Sequence, residues 1–202
     1  VKPILKVEAP KGYGLDDRFD NALDKFSNFS RPCGGGNREA CENVKRIILE
    51  WAKADAAKRT GPSDHEGRHW NDTLTVNLYI ASPMLAAYSF VKQVVEVPSE
   101  EDQIIKKWFM KIVKKNKHLM YDQIYKKNTQ AIGVPKRAHN HALSSAIAHM
   151  ELGVLLNDEK LFRKAFKNFE AAIKYQRKDG SLPIETRRGG RAIFYQARAM
   201  NA

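Results

Sequence analysis

A stretch near the end of the chain carries the side chains needed to neutralise a carboxylate and to move a proton. Asn140 and His141 stand at the predicted start of a helix, where unpaired backbone N–H groups favour anions. The imidazole of His141 has a reference pKa of about 6.5, so it can take up a proton near neutrality. A later loop rich in glycine and proline adds three arginines and a tyrosine, namely Arg187, Arg188, Arg191 and Tyr195. Because guanidinium groups bind carboxylates in a planar, bidentate way, these residues predict a site for an acidic substrate.

Tyr195 is the predicted proton-transfer group. It follows Arg191 by four residues and Arg188 by seven, so all three share one face if the segment is helical. A phenol with a reference pKa of about 10 ionises near neutrality only beside cations. The neighbouring arginines supply that environment.

Each of these residues also has a simpler interpretation. Asn140 could serve only as a helix N-cap, and His141 could be an ordinary core residue. Tyr195 could pack in the core with its hydroxyl at the rim, and the arginines could form a solvated basic face. The residues alone leave both interpretations open.

Two further candidates lie in the polar segment before residue 71. Trp70 could stack on a sugar ring or could belong to the core. His65 and His69 are four residues apart, a spacing used by metal ligands on a helix, but they lie in a Gly/Pro-containing loop. We therefore predict no metal site and no cofactor.

Apolar residues recur at helical spacing along most of the chain, and no strand-like alternation competes with them. The pattern predicts helices over residues 15–26, 38–59, 72–94, 98–117, 139–156, 158–176 and 190–202. Asp72 is the expected N-cap of the third helix, and Pro83 should kink or split it. Antiparallel helix pairs with short connections predict an all-α protein. We expect one domain over 1–202, with an N-terminal helix and Pro/Gly loop (1–37) before an array of helical hairpins (38–202).

The charge of the chain points to an anionic partner. The formal net charge is +12, and residues 160–202 hold eleven Lys or Arg against three acidic residues. Aromatic residues are not interleaved with the basic ones, which disfavours nucleic acid. No apolar run reaches the roughly 20 residues that span a bilayer. An acidic polymer is therefore the predicted partner, with neither nucleic acid nor membrane expected.

Cys33 and Cys41 are the two cysteines of the chain, and three glycines lie between them. Two cysteines around a flexible loop are typical of a short disulfide formed in an oxidising compartment. Two unrelated thiols remain the alternative. The disulfide interpretation favours a periplasmic or secreted protein.

The order and spacing of these motifs resemble the alginate lyase family of polysaccharide lyases. That family carries Asn-His at a helix start, then Asp-Gly-x-Leu-Pro-x-Glu, then an arginine and Arg-Ala-x-x-Tyr. The matching stretches here are Asn140-His141, 179–185, Arg188 and 191–195. An upstream helix, 51–56, also resembles the family's Trp-Ala-x-Ala-Asp-Ala segment.

The resemblance implies an (α/α) toroid fold and β-elimination on a polyuronate, with alginate or polymannuronate the expected substrate. Asn140, His141 and Arg188 would address the substrate carboxylate, and Tyr195 would donate the proton to the leaving oxygen. Tyr195 would also act as the base on mannuronate, whereas His141 is the better base for the opposite stereochemistry. The expected substrate-binding residues are His139, Arg187, Arg191 and Trp70.

The sequence departs from the family pattern in a few places. His139 stands where the family has a second asparagine, and Ser144 where it has an aromatic residue. Family members continue through further helices after the tyrosine, so we expect an incomplete (α/α) barrel or toroid whose open end a second copy of the chain or a missing segment would cover. Two other functions stay open: a non-catalytic binding protein for acidic polysaccharide, and a basic helical module that binds nucleic acid.

Overall fold

The part of the protein that the structure describes is built almost entirely of α-helices. The computed structural model describes residues 2–3, 6–7, 17–57, 59–60, 80–114, 140–186, 189–193 and 196–197. The helices are α1 (Asp17–Gly34), α2 (Arg38–Lys53), α3 (Ser82–Val94), α4 (Ser99–Lys114), α5 (Asn140–Leu156), α6 (Glu159–Ile173) and α7 (Pro183–Thr186). A 3₁₀ turn follows at Gly189–Arg191. Within the described residues the only strands are β1 (Lys6–Val7) and β2 (Arg59–Thr60), a parallel pair two residues long. The all-α prediction is confirmed.

Contacts along the chain group into two compact units, Val1–Lys115 and Asn116–Ala202. The first unit holds α1 to α4, and the second holds α5 to α7 with the 3₁₀ turn. The organisation as one domain with an N-terminal segment 1–37 stays a prediction.

The first unit opens with a hairpin of α1 and α2. The segment 31–37, predicted to be a Pro/Gly loop, is helical as far as Gly34, with Pro32 inside the last turn of α1. The connection is therefore only three residues long, and its Gly36 has a φ of +85°, which favours glycine. Asn37 then caps α2, because its side-chain oxygen accepts a hydrogen bond from the Ala40 amide at 2.9 Å.

A disulfide closes the same hairpin. Cys33 and Cys41 are joined with a Cα–Cα distance of 4.6 Å, across eight residues of sequence. The bridge is buried, since the two cysteines are 1% and 0% exposed. It ties the last turn of α1 to the first turn of α2.

Helix α2 ends at Lys53, six residues before the predicted end. Asp55 and Ala57 have φ values of +51° and +56°, which a helix cannot contain. The indole N–H of Trp108 in α4 donates to the Ala56 carbonyl at 2.9 Å and holds this turn in place. The Asp55 and Ala56 amides bond back to the carbonyls of Ala52 and Trp51, so local bonds end the helix and the distant Trp108 supports the turn.

Helices α3 and α4 meet at a polar network around Asp102. Tyr88, fully buried on α3, donates its hydroxyl proton to Asp102 at 2.8 Å. Lys92 and Lys106 bring their ammonium groups to 3.1 and 2.6 Å from the same carboxylate. Burial opposes ionisation of Asp102, but the hydrogen bonds from Lys106, Tyr88 and Lys92 outweigh it and hold its pKa below the ordinary value. Burial, followed by the bond to Asp102, raises the pKa of Tyr88, so Tyr88 remains a proton donor.

Pro83 neither kinks nor splits α3, as it was predicted to do, but lies at the start of this helix. The helix starts at Ser82, so Pro83 occupies its first turn, where a missing N–H is tolerated. Residues 61–79, with the predicted cap Asp72, lie outside the described part of the chain. Helix α4 begins at Ser99, one residue after the predicted start, and three acidic residues lie in its first turn.

In the second unit α5 and α6 form a tight antiparallel hairpin, close to the predicted helices. Asn157 takes the left-handed conformation at φ +53°. The Asn157 and Asp158 amides then bond back to the carbonyls of Val154 and Gly153 at 3.1 and 2.8 Å, a Schellman ending. Asp158 also caps α6, because its carboxylate accepts from the Leu161 amide at 2.9 Å. Two short local signals therefore reverse the chain.

The hairpin packs backbone against backbone at Gly153. A Cβ atom at this position would lie 2.8 Å from the Phe162 nitrogen and 3.0 Å from its Cα. Only glycine allows that approach without a shift of one helix. Leu143 of α5 and Leu182, which precedes α7, form a buried cluster, and Phe169 of α6 packs against it.

Candidate functional site

The predicted site residues fall at the edges of what the structure describes. Asn140 begins α5 and His141 follows it, so the backbone of both lies in the first helical turn. Their side chains, and that of Arg191 in the 3₁₀ turn, are outside the described part. Also outside it are Trp70, His139, Arg187, Arg188 and Tyr195, together with His65 and His69. The roles predicted for these residues stay predictions.

Helix α5 forms a fixed platform under Asn140 and His141. Leu143, Ser144, Ser145 and Ala146 are all buried, at 3 to 4% exposure. Successive helical residues point about 100° apart, so the helix is covered on every side at this level. The Nδ1–H of His149 donates to the Ser145 carbonyl at 2.7 Å. Ser144 is therefore enclosed, so the replacement of the family's aromatic residue by serine lies in the interior and not on the surface.

The Asp-Gly-x-Leu-Pro-x-Glu stretch opens with a tight turn. The Asp179 carboxylate accepts a hydrogen bond from the Ser181 amide at 2.9 Å. The Ser181 side chain and backbone lower the pKa of Asp179 through these hydrogen bonds. Gly180 has a φ of +82°, which explains why glycine follows the aspartate. The motif residues thus have a local structural task.

Two glutamines clamp this turn from outside the motif. The Gln196 side-chain oxygen accepts from the Leu182 amide at 2.8 Å, and its NH₂ group donates to the Gly180 carbonyl at 3.2 Å. The same carbonyl accepts a bond from Gln176 at 2.9 Å. Gln196 follows Tyr195 directly in the sequence. The residue next to the predicted proton donor is therefore bonded to the loop that leads to the predicted arginines.

Arg177 fastens the other end of the loop. Its guanidinium donates to the Thr186 hydroxyl at 2.7 Å and to the Ser181 hydroxyl at 3.3 Å, and its amide donates to the Ser181 carbonyl at 2.9 Å. Thr186 is the last residue of α7 and immediately precedes Arg187. This bond fixes the point at which the chain enters the arginine cluster.

Glu185 is the only charged residue that the described part of the chain fully buries, at 0% exposure. Enclosing a carboxylate costs several kcal/mol unless other groups compensate it. Its position in α7, two residues before Arg187, sets an acidic group beside a basic stretch of sequence. Glu185 appeared in the sequence only as a motif position, and its burial marks it as part of the support of this loop.

Gln196, Gln176 and Arg177 were missed from the sequence. An amide side chain has both a donor and an acceptor and is suited to bridging backbone groups, but glutamine is common on helix surfaces. Its partner Leu182 lies fourteen residues away. Only the position of Gln196 beside Tyr195 hinted at a role.

Metal and membrane features are lacking where the structure can be inspected. The described residues contain no group of three or more His, Cys, Asp or Glu arranged for a metal ion. None of the helices in the described ranges is long and apolar enough to cross a membrane.

A family model and individual relatives of known name match this chain, and they agree on one family. Residues 35–202 match the family model described as alginate lyase. An alginate lyase of Pseudomonas syringae pv. tomato is 29% identical over 171 residues, which cover 82% of this chain and 40% of the relative. An alginate lyase of Cobetia marina is 26% identical, with 82% of this chain and 41% of the relative covered. The chain thus spans about two fifths of the length of the curated relatives it matches.

Solved structures show the same fold. Alginate lyase A1-III from Sphingomonas species A1 superposes with a TM-score of 0.70 at 18% identity, covering 99% of this chain and 57% of that chain. A histidine-to-alanine variant of alginate lyase A1-III in complex with a tetrasaccharide gives a TM-score of 0.68 at 18% identity, covering 99% and 54%. A tyrosine-to-phenylalanine variant has also been solved with a tetrasaccharide, with a TM-score of 0.68. These likenesses confirm the predicted (α/α) toroid class of fold.

Proposed function

This chain belongs to the alginate lyase family, and we propose that it acts as a polysaccharide lyase on an anionic polyuronate, with alginate or polymannuronate as first candidate. The observation that carries the proposal is the family match over residues 35–202 together with Asn140-His141, Arg188 and Tyr195 in the family's order. The names of the curated relatives support the same substrate class.

The proposed reaction is a β-elimination. Asn140, His141 and Arg188 bind the carboxylate of the sugar to be cleaved and disperse its charge, which acidifies the neighbouring C5–H bond. A base takes the C5 proton, and the electron pair forms the C4=C5 double bond. The C4–O bond breaks, and Tyr195 gives its proton to the departing oxygen. The products are a new chain end and an unsaturated uronate.

The choice of base depends on the sugar. In mannuronate the C5 proton and the leaving oxygen lie on one face, so Tyr195, ionised beside the arginines, serves as base and then as acid. For the opposite stereochemistry His141 takes the proton. His139, Arg187, Arg191 and Trp70 are proposed to hold the flanking parts of the polymer.

The described contacts support the geometry that this chemistry needs. Reacting groups must be held in position, because small misplacements lower catalytic rates strongly. The enclosed helix α5 fixes the backbone of Asn140 and His141. Gln196 and Arg177 fasten the loop that leads to the arginines. The described segments next to both halves of the proposed site are therefore held by hydrogen bonds or burial.

We also propose that the protein works in the periplasm or outside the cell. The Cys33–Cys41 disulfide supports this, because such bonds persist in oxidising compartments. Acidic polysaccharide is the proposed partner. Fractionation of the native source, with the protein found only in the cytosol, would refute the location.

A substrate panel tests the function. The protein is incubated with alginate, polymannuronate and polyglucuronate, and ultraviolet absorbance reports the unsaturated product. We expect product with at least one polymer, and Tyr195→Phe should abolish turnover but keep polymer binding. Tyr175→Phe is the matched control, because Tyr175 is an exposed tyrosine outside the matched family stretches. No product on any polymer between about pH 6 and 9 would refute a lyase, and binding without product would favour the non-catalytic alternative.

A further inference from the structure

The outer face of α6 carries a line of exposed lysines. Lys160, Lys164, Lys167 and Lys174 are all exposed. At 100° per residue the other three lie within about 40° of Lys160 around the helix axis. The Lys174 amide bonds to the Glu170 carbonyl at 2.9 Å, so the helical path continues to it. With a rise of 1.5 Å per residue, these lysines, here called the lysine strip, extend over about 21 Å.

The charge of the lysine strip is not neutralised locally. Residues 159–178 contain seven basic and two acidic residues, a net charge of +5. One of the acids, Glu159, is 2.6 Å from Arg163 and pairs with it. Within the described part of the chain no acidic side chain forms an ion pair with any lysine of the strip. The strip therefore presents four ammonium groups to solvent.

Four lysines of the first unit are placed differently. Lys111 contacts Asp55 at 2.6 Å, and Lys45 contacts Glu42 at 2.8 Å. Lys92 and Lys106 share Asp102. These four lysines serve internal ion pairs, and the exposed Lys25, Lys53 and Lys107 lie on three different helices, whereas the lysines of the strip form one row that is available to a partner.

We propose that the lysine strip is a docking surface for the carboxylates of an acidic polysaccharide, separate from the residues assigned to cleavage. The identity of the polymer rests on the proposed function. A linear polyanion carries charges at regular intervals and can follow a straight row of cations. Ala171 lies between Lys167 and Lys174 on the strip, and the exposed Tyr175 beside it is a single ring and not a row on which successive bases could stack, which favours a polyuronate over single-stranded nucleic acid.

Docking of this kind is weak, reversible and dependent on salt. Exposed charges are screened over about 10 Å at 0.1 M salt, so each ammonium contributes little alone. A row of them raises the local concentration of polymer. A polymer that occupies the strip and the cleavage residues together gains from both contacts, so we expect the benefit to grow with polymer length.

The test compares two triple variants that lose the same charge. Lys160→Gln/Lys164→Gln/Lys167→Gln removes three strip lysines. The control Lys25→Gln/Lys53→Gln/Lys107→Gln removes three exposed lysines from α1, α2 and α4. Affinity for long polymannuronate is measured directly, near 20 mM and 200 mM salt, after thermal melts show that both variants fold. We expect about tenfold weaker binding at low salt for the strip variant, about twofold or less for the control, and a smaller gap at high salt.

Equal losses in the two variants, or no loss in the strip variant, would overturn the proposal. So would an equal loss of affinity for a tetrasaccharide, since that would place the lysines at the cleavage residues. A larger loss for DNA than for polymannuronate would assign the strip to nucleic acid instead. The readout is binding, so it is independent of turnover: a parent protein that yields no unsaturated product refutes the lyase and leaves this test intact.

Discussion

Replacing Gln196 by alanine should destabilise the second unit and slow the proposed reaction. Gln196 makes two hydrogen bonds, from the Leu182 amide to its oxygen at 2.8 Å and from its NH₂ group to the Gly180 carbonyl at 3.2 Å. Leu182 is 4% exposed, so its amide is poorly placed to find water in the variant. The Gly180 carbonyl keeps its bond from Gln176. The main loss is therefore one unsatisfied, largely enclosed N–H group.

An unsatisfied buried donor costs about 1–3 kcal/mol, and we expect the free energy of unfolding to fall by that amount in Gln196→Ala. Gln176→Ala removes one of two donors to a single carbonyl and should cost about 1 kcal/mol or less. Gln93→Ala is the matched control, since Gln93 bonds to the Ser89 carbonyl within an exposed turn of α3. It should change stability by about 0.5 kcal/mol at most.

Denaturant unfolding of the three variants gives the ranking, and steady-state turnover on the best polyuronate gives the functional effect. We expect kcat to fall in Gln196→Ala more than in Gln176→Ala, because Gln196 adjoins Tyr195. If Gln196→Ala is as stable as Gln93→Ala, the clamp does not hold the loop and the reasoning fails. If stability falls but kcat is unchanged, Gln196 supports the fold and does not position the tyrosine.

Three further predictions concern Gly153, the disulfide and Asp102. Gly153→Ala should lower the free energy of unfolding by about 1–3 kcal/mol through overpacking, because its Cβ would lie 2.8 Å from the Phe162 nitrogen. The control is Gly190→Ala, since a Cβ atom at Gly190 would have nothing within 4 Å. Equal melting temperatures of the two variants would contradict the close contact. Replacing both Cys33 and Cys41 by serine should lower the free energy of unfolding by about 2.5 kcal/mol, because the bridge closes a loop across eight residues. Reduction of the disulfide in the parent should have the same effect, and a loss below about 0.5 kcal/mol would contradict this prediction. The pKa of Asp102 is lowered in the folded state, so its contribution is present above the unfolded pKa of about 3.9 and is lost as pH falls through the folded value. The gap in unfolding free energy between the parent and Asp102→Asn should thus narrow in acid, and a gap that stays constant down to about pH 2 would be inconsistent with this.

Local signals made the α5–α6 hairpin predictable. Apolar spacing predicted two helices, and Asn157-Asp158 supplied a left-handed residue and a cap in the expected place. The start of α4 was equally clear from its acidic first turn. Where neighbouring residues decide the conformation, one sequence suffices.

The ends of α1 and α2 differ from the prediction, and the contacts beside them involve residues that the helical periodicity does not include. Helix α2 ends at Lys53 beside a turn held by Trp108, fifty-two residues from its acceptor Ala56. Nothing in the local sequence after Lys53 stops a helix. Helix α1 continues through Pro32, which is tolerated because it falls in the final turn, beside the disulfide. Both ends lie beside tertiary contacts that periodicity cannot report.

The candidate site divides in the same way. The order of Asn140-His141, Arg188 and Tyr195 was readable in the sequence and led to the family, which the comparisons confirm. The contacts of Gln196 and Arg177 were not readable, because they join side chains to backbone groups across a folded loop. A motif identifies the reacting groups, whereas their supports depend on the path of the chain.

The enclosure of α5 restricts how this family member can change. A helix covered on all sides between Leu143 and Ala146 has a single rotational setting. Inserting one residue there would turn everything before it by about 100° and shift it by about 1.5 Å, which would carry Asn140 and His141 to a different side of the axis. Substitutions leave that setting intact. Variation in the first turn of α5 should therefore arise by exchange of residues and almost never by insertion or deletion, so a gap inside this helix in an aligned relative would mark a protein that has lost the site.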